Sequence, residues 1–293
     1  MRDKIEYFES DDLPSQLLKG RFEVTATIFV YNHRQYVERC LNSVLAQNFG
    51  YPFCILIIDD CSTDGTSDLI HGLLTKARIP DNFRVFYIRH VTNQFQRGRV
   101  GYFREVFNSI NTNFFATLDG DDAWNDTEKI RKQHSFLNSK EGEGFSVCGH
   151  DSVVCDDKGN VVSQNKLPEN YRRDFDSESL KRCTCWCLTN TLVWRGDVKF
   201  PSELGPAPNG DNVLWSTLGF RGGFKFLGDV GKSIYTTHAG GVWSLKSTDE
   251  KIMMQASTFL SLALHYYRIN DVGLAEHFLS ASLGQLDKFR PQP

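Results

Sequence analysis

Apolar residues in the first 140 positions come in short blocks whose spacing switches between two periods. Residues 22–30 (FEVTATIFV) are β-branched and aromatic, and residues 35–47 follow with apolar positions near helical spacing. Residues 53–58 (FCILII) form a continuous apolar run ending at Asp59-Asp60, the profile of a strand covered on both faces. Residues 66–77 read as a helix entered through a Ser-Thr-Asp-Gly turn. Residues 84–89 and 114–118 predict two more strands, each followed by a helical stretch, at 100–110 and 127–137. Repeated strand–helix units predict an α/β fold, a mostly parallel sheet with helices on both faces. Ligands of such sheets bind beyond the carboxyl ends of the strands. Polar clusters stand at three of those ends: Tyr31-Asn32, Asp59-Asp60 and Asp119–Asp122.

Beyond residue 140 the pattern changes. Residues 146–162 predict a hairpin turning at Asp157-Lys158-Gly159-Asn160, and residues 183–194 are strand-like. Residues 211–218 predict a helix, and 224–227 and 233–238 short strands. Residues 249–288 carry two helical stretches broken near Asn270-Asp271. No internal repeat and no linker divides the chain. The expected organisation is an extension over 1–21, a continuous domain over 22–245 with halves at 22–140 and 141–245, and a C-terminal helical hairpin over 246–293.

Composition narrows the function. Of 293 residues 40% are hydrophobic and 24% charged, as in a soluble globular protein. The net charge of −3 and the lack of a long basic run argue against a nucleic-acid partner. The N-terminal twenty residues lack the apolar core of a secretory signal, and no segment reaches the roughly 20 apolar residues that span a bilayer. The eight cysteines are dispersed, and several lie in apolar segments, which suits reduced core thiols and a cytoplasmic setting.

The chemistry concentrates in two acidic strings. In Leu118-Asp119-Gly120-Asp121-Asp122-Ala123-Trp124, three carboxylates at one strand end repel one another unless a cation joins them. Hard oxygen ligands suit Mg2+ or Mn2+ bridged to substrate phosphates. A solvated acidic turn with Asp122 capping a helix is the alternative. In Asp59-Asp60-Cys61-Ser62-Thr63-Asp64-Gly65-Thr66, a carboxylate can accept from a nucleobase imide or a ribose hydroxyl, while Ser62, Thr63 and Asp64 are also suited to capping the next helix.

Together FVYNHRQYVERCLNSVLAQNF, ILIIDDCSTDGT and FFATLDGDDAW resemble the large inverting glycosyltransferase family 2, whose fold is called GT-A. The resemblance covers residues 22–138 closely and weakens towards 245. It implies a nucleotide-binding half, an acceptor-binding half and Mn2+ or Mg2+ as cofactor. It implies that Tyr31 stacks on the base and that Asp60 contacts it. Asp119 and Asp121 match the family's D-x-D pair, with Asp121 the direct metal ligand, Asp119 nearer the ribose and phosphates, and Asp122 supporting the loop. Pro208-Asn209-Gly210-Asp211-Asn212-Val213-Leu214-Trp215 resembles the segment carrying the catalytic base, which makes Asp211 the expected base, with helix capping as its alternative role. His238, in a segment running to Ser244, is expected on the metal or the diphosphate.

The chain departs from the family pattern at Asn93-Gln94-Phe95-Gln96-Arg97-Gly98-Arg99, which leaves Arg97, Arg99 or Arg104 as the diphosphate contact, and at Phe29-Val30 before Tyr31. The implied substrates are a nucleotide-sugar donor, UDP-linked, and a glycan or lipid-linked glycan acceptor. The alternatives are a non-catalytic binder of nucleotide sugar and a sugar nucleotidyltransferase. The latter lacks its Gly-rich, basic phosphate loop, because Tyr31-Asn32-His33-Arg34 stands there.

Cys183, Cys185 and Cys187 would share one face of a strand and form an apolar patch beside the acceptor; their spacing is wrong for zinc. Trp186 is a candidate to stack on a sugar ring. The C-terminal helices, with Phe259, Leu260, Leu264, Tyr267, Phe278 and Leu279, would cover the core or join subunits. A peripheral contact at the inner face of the membrane is a further role for helices of an enzyme acting on lipid-linked glycans, although their polar face lacks a strong Lys/Arg excess.

Overall fold

The computed structural model describes residues 4–99, 101–241 and 246–289. Val100, at the start of the expected third helix, and Val242–Ser244, in the His238 segment, lie outside the described residues. So do the ends of the N-terminal extension and of the C-terminal hairpin.

Strands β1 (Ile5–Glu9), β2 (Phe22–Val30), β3 (Phe53–Asp59), β4 (Phe83–Arg89) and β5 (Thr112–Asp119) all run parallel. The sheet continues through β6 (Phe145–Gly149), β9 (Val193–Arg195) and β10 (Gly223–Phe226), in the order β1-β4-β3-β2-β5-β9-β6-β10. Only β9 opposes its neighbours β5 and β6. Alternation on β3 shows why the apolar run is continuous. Phe53, Ile55 and Ile57 face one side with α2 (Val37–Leu45), α3 (Thr66–Lys76) and α5 (Lys129–Leu137). Cys54, Leu56 and Ile58 face the other, with α4 (Tyr102–Ser109), α6 (Ser177–Lys181) and α7 (Gly210–Leu218). Each such isoleucine or leucine contributes about 1.5–3 kcal/mol by leaving water.

The N-terminal segment does more than extend the chain. β1 adds a parallel edge strand beside β4, and Leu17 of α1 (Ser15–Lys19) is fully buried. The predicted hairpin is narrower than expected. β7 (Ser152–Cys155) pairs with β8 (Val161–Ser163) across a turn in which Asp156 Oδ1 accepts the N–H groups of Lys158 and Asn160, at 3.0 and 2.8 Å. β11 (Ser233–Thr236) runs alongside β7, completing a second, three-stranded sheet.

Residues 183–194 differ from the strand reading. Only Val193–Arg195 is extended and paired, and Cys183 has φ 52°, a left-handed conformation that interrupts a strand. The three thiols therefore do not alternate along a ladder. Cys185 and Cys187 are buried in the apolar layer with Leu214 and Trp215.

Helix α8 (Thr248–Arg268) opens on a capping box between Ser247 and Glu250, and α9 (Val272–Leu286) on Asp271, which accepts the Leu274 N–H at 3.0 Å. Asn270, at φ 62°, turns the chain between them. Leu262, Tyr266 and Phe278 pack on Val213 of α7, while Leu264, Tyr267, Leu279 and Leu283 are exposed.

Candidate active site

Register brings the three polar strand ends to one edge. Val30 lies opposite Asp59, and Phe29 lies opposite Asp119. From β2 the chain builds outwards through β3 and β4 on one side and through β5 on the other, a switch point where loops diverge and leave a crevice. A cleft of about 600 Å3 opens there, lined by Tyr31, Asn32, Arg34, Tyr36, Asp64 and His238 among others.

Two loops are tied together beside the end of β2. Asn32, at φ 55°, donates its N–H to Ser62 Oγ at 2.9 Å and accepts the Thr63 N–H at 2.8 Å. Asp64 accepts the N–H groups of Thr66 and Arg34, at 2.9 and 3.1 Å, so it caps α3 and holds the Tyr31 loop at once. Asp60 anchors the next loop, accepting from Gln94 N–H at 2.7 Å and Phe95 N–H at 3.1 Å and meeting His90 Nδ1 at 2.9 Å. Gln96, on that loop, donates to the Tyr31 hydroxyl at 3.4 Å.

The acidic string wraps a compact ligand set. Asp121 Oδ2 lies 2.8 Å from His238 Nε2 and 3.9 Å from His33 Nε2, and ligand atoms of all three residues fall within 4.8 Å of one another. His33 was not singled out as a site residue; its only signal was its place in Tyr31-Asn32-His33-Arg34 after the first strand. Gly120 makes room for it, since a Cβ there would stand 2.7 Å from His33 Nδ1. Burial lowers the pKa of His33, favouring the neutral imidazole that ligates metals. Its Nδ1 is buried without a hydrogen-bond partner. Tyr36 packs on the His238 ring, with centroids 4.7 Å apart.

Asp122 is the support of this loop. Its oxygens accept the Thr236 N–H at 2.9 Å and Asn190 Nδ2 at 2.8 Å, and burial raises its pKa well above the usual range. Ala123 and Ile234 exchange backbone hydrogen bonds at 2.7 and 3.2 Å, which holds β11, and His238 beyond it, against the acidic loop.

Asp119 ends β5, and Asp211 is the second residue of α7. Both residues are exposed to solvent, while neighbouring protein crowds their carboxylates. Burial, then the charges of Asp121 and Asp211, raise Asp119 to about 7. Burial raises Asp211, against the hydrogen bond it accepts from Thr189 Oγ1 at 2.8 Å. The residue at the N-cap position is Asn209, so Asp211 is not spent on capping. Tyr235 overlooks the group, its hydroxyl pushed up to about 12 by burial and by the four aspartates.

The expected diphosphate arginine has a different place. Arg104 is buried, and its two Nη atoms donate to the carbonyl oxygens of Leu204, Gly205 and Ala207 at 2.5–2.9 Å. A buried guanidinium demands acceptors, and this loop supplies them. Arg104 thus fixes the approach to Asp211. Arg99 donates to Gln94 and Glu105, and Arg97 is exposed. Trp186 is exposed at an edge, 5.7 Å from the Tyr171 ring.

Known proteins resemble this chain in sequence and in fold. An uncharacterized protein of Mycobacterium tuberculosis is 28% identical over 224 residues, 75% of this chain, and the chain spans 60% of that relative's length. The UDP-Glc:α-D-GlcNAc-diphosphoundecaprenol β-1,3-glucosyltransferase WfaP of Escherichia coli is 27% identical over 272 residues, 88% of this chain and 96% of its own. Residues 1–349 of TarS from S. aureus, solved with UDP-GlcNAc, superpose with a TM-score of 0.61 at 16% identity, over 91% of this chain and 73% of that one. TarS has the same fold, a mainly parallel sheet flanked by helices. The family model described as Glycosyl transferase family 2 matches residues 25–192, more than half of the sequence. The chain belongs to glycosyl transferase family 2.

Proposed function

We propose that this protein is a metal-dependent, inverting glycosyltransferase that moves a sugar from a UDP-sugar onto a hydroxyl of a growing glycan. The observation that carries the reading is the meeting of Asp121, His33 and His238 within 4.8 Å in a crevice whose other acidic wall is Asp211. Two imidazoles and a carboxylate suit Mn2+ better than Mg2+, which prefers oxygen ligands. His33 turns its Nε2 towards Asp121, and the missing Cβ at Gly120 leaves room for the ring, which fits a histidine seated for ligation. A bound Mn2+ would neutralise charge on the departing diphosphate.

The other roles fall to the chain itself. Tyr31 stacks on the base, and Asp60, with a lone pair left after three contacts, meets the base edge. Asp119 faces the ribose and phosphates. Asp211 accepts the acceptor's hydroxyl proton as the oxygen attacks the anomeric carbon from the side opposite the nucleotide, which inverts the configuration. The raised pKa of Asp211 suits a base, since a more basic carboxylate takes a proton more readily. The UDP-sugar donor and diphosphoundecaprenol-linked acceptor in the name of WfaP support a UDP donor and a lipid-linked glycan acceptor in surface polysaccharide synthesis. Among the described residues no helix is long and apolar enough to cross a membrane.

A melting-temperature panel of UDP, GDP, dTDP and CDP, each with and without Mn2+, tests the donor site. The expected result is stabilisation by UDP that requires Mn2+ and vanishes in Asp121→Ala. Equal stabilisation without metal would sink the metal assignment, and none from any nucleotide would sink the donor site.

A further inference from the structure

The 3-10 turn Thr189–Thr191 touches both walls of the crevice through adjacent side chains. Thr189 Oγ1 donates to Asp211 Oδ1 at 2.8 Å. Asn190 Nδ2 donates to Asp122 Oδ2, also at 2.8 Å, and the Asn190 carbonyl accepts the indole N–H of Trp124 at 2.9 Å. With three residues per turn, successive side chains point about 120° apart, so neighbours reach different walls. The turn is itself fixed. Thr191 Oγ1 donates to the Leu188 carbonyl at 2.7 Å, and the Thr191 carbonyl accepts from Gln133 of α5 at 2.9 Å. Asn190 and Thr191 are buried.

We infer that this turn is a positioning bridge that sets the base against the metal loop. Thr189 orients the Asp211 carboxylate, leaving its other lone pairs to meet the acceptor hydroxyl. Asn190 holds Asp122, and Asp122 holds Thr236, two residues before His238, as well as the loop that carries Asp121. A rigid turn between them keeps the proton acceptor at constant distance from the donor's phosphates, the spacing that a single displacement needs. The inference rests on Asp211 being the base and extends it to two residues that touch no substrate.

The two side chains of the bridge carry opposite kinetic signatures, which a purely structural turn would not produce. Thr189→Val, which keeps the shape and removes the donor, is expected to lower kcat ten- to a hundredfold. The KM for the UDP-sugar and the affinity for UDP with Mn2+ should stay within about twofold, and Thr189→Ser should restore most of the turnover. Asn190→Ser should instead weaken Mn2+-dependent UDP binding about tenfold, the usual scale for a residue behind a metal ligand. Asp122→Asn keeps the shape but leaves one side-chain oxygen for two donors, Asn190 Nδ2 and the Thr236 N–H, so it should also weaken Mn2+-dependent UDP binding, which keeps the test alive if Asn190→Ser fails to fold. Calorimetry with UDP and Mn2+ reads the affinities, and initial rates of sugar transfer read kcat and KM. Wild-type turnover in Thr189→Val, or equal loss of UDP affinity in Thr189→Val and Asn190→Ser, overturns the bridge. An Asp211→Asn variant that still transfers overturns the base assignment and the bridge with it. An inactive Asp211→Asn beside an unaffected Thr189→Val overturns the bridge alone.

Discussion

The two walls of the crevice are built in different ways. On the proposed donor wall, Tyr31, Asp60, Asp119 and Asp121 follow directly from strand ends, and the in-register parallel pairs of β2 with β3 and β5 bring those ends together. On the proposed acceptor wall, Asp211 stands at the start of a helix whose approach is fixed by contacts distant in sequence. Arg104 holds the carbonyls of residues 204–207, and Thr189 reaches across to the carboxylate. Sheet geometry thus brings the strand ends of the proposed donor wall together before Asp60, Asp64 and Asp122 pin its loops, whereas the proposed acceptor wall rests chiefly on polar side chains. Damage should therefore spread differently from each.

The sharpest contrast is between Asp121→Ala and Asp211→Asn. Both should lower transfer by about 10³-fold or more. Only Asp121→Ala should lose the Mn2+-dependent rise in melting temperature with UDP, and loss of that rise in both would erase the distinction between the walls. Gly120→Ala is next. Its Cβ would press on His33 Nδ1 from 2.7 Å and on Val30 Cγ2 from 3.0 Å, so Mn2+ affinity should fall roughly tenfold by titration, and in a His33→Ala background Gly120→Ala should lower that affinity much less.

On the acceptor wall, Arg104→Gln should cost about 2 kcal/mol of stability in a urea melt, because buried carbonyls lose a charged donor. Turnover should drop with little change in UDP affinity. A large rise in the donor KM with normal stability would return Arg104 to the diphosphate.

The smallest effect concerns Lys129, buried beneath the donor wall with its Nζ 4.4 Å from the Trp124 ring and bonded to Gln133. Burial lowers it to about 7 from its ordinary 10.5. Between those values the unfolded chain binds the proton that the folded chain has lost, so this lysine destabilises the fold at and below pH 7, and the penalty fades as pH rises towards 10. Lys129→Met should therefore raise stability by roughly 1 kcal/mol at pH 6, with the gain over wild type shrinking by pH 9. A gain independent of pH would show that the lysine is not the cause.

By itself the sequence determined the alternation of strands and helices through residue 137, the ends at which polar residues gather, and the helical C-terminus. These follow from periodicity, strand-end polarity and turn residues, which act over a few positions. Only the tertiary structure decided the rest. β1 joins the sheet through pairing with β4, about 80 residues away, and nothing in IEYFE specifies that edge. Cys183–Cys187 leaves the strand pattern because Cys183 turns left-handed and the apolar layer takes Cys185 and Cys187. His33 joins Asp121 across 88 positions, and Arg104 finds its carbonyls about 100 residues on. Such partners are chosen by which buried donor meets which acceptor when the chain closes, a pairing that local pattern does not encode.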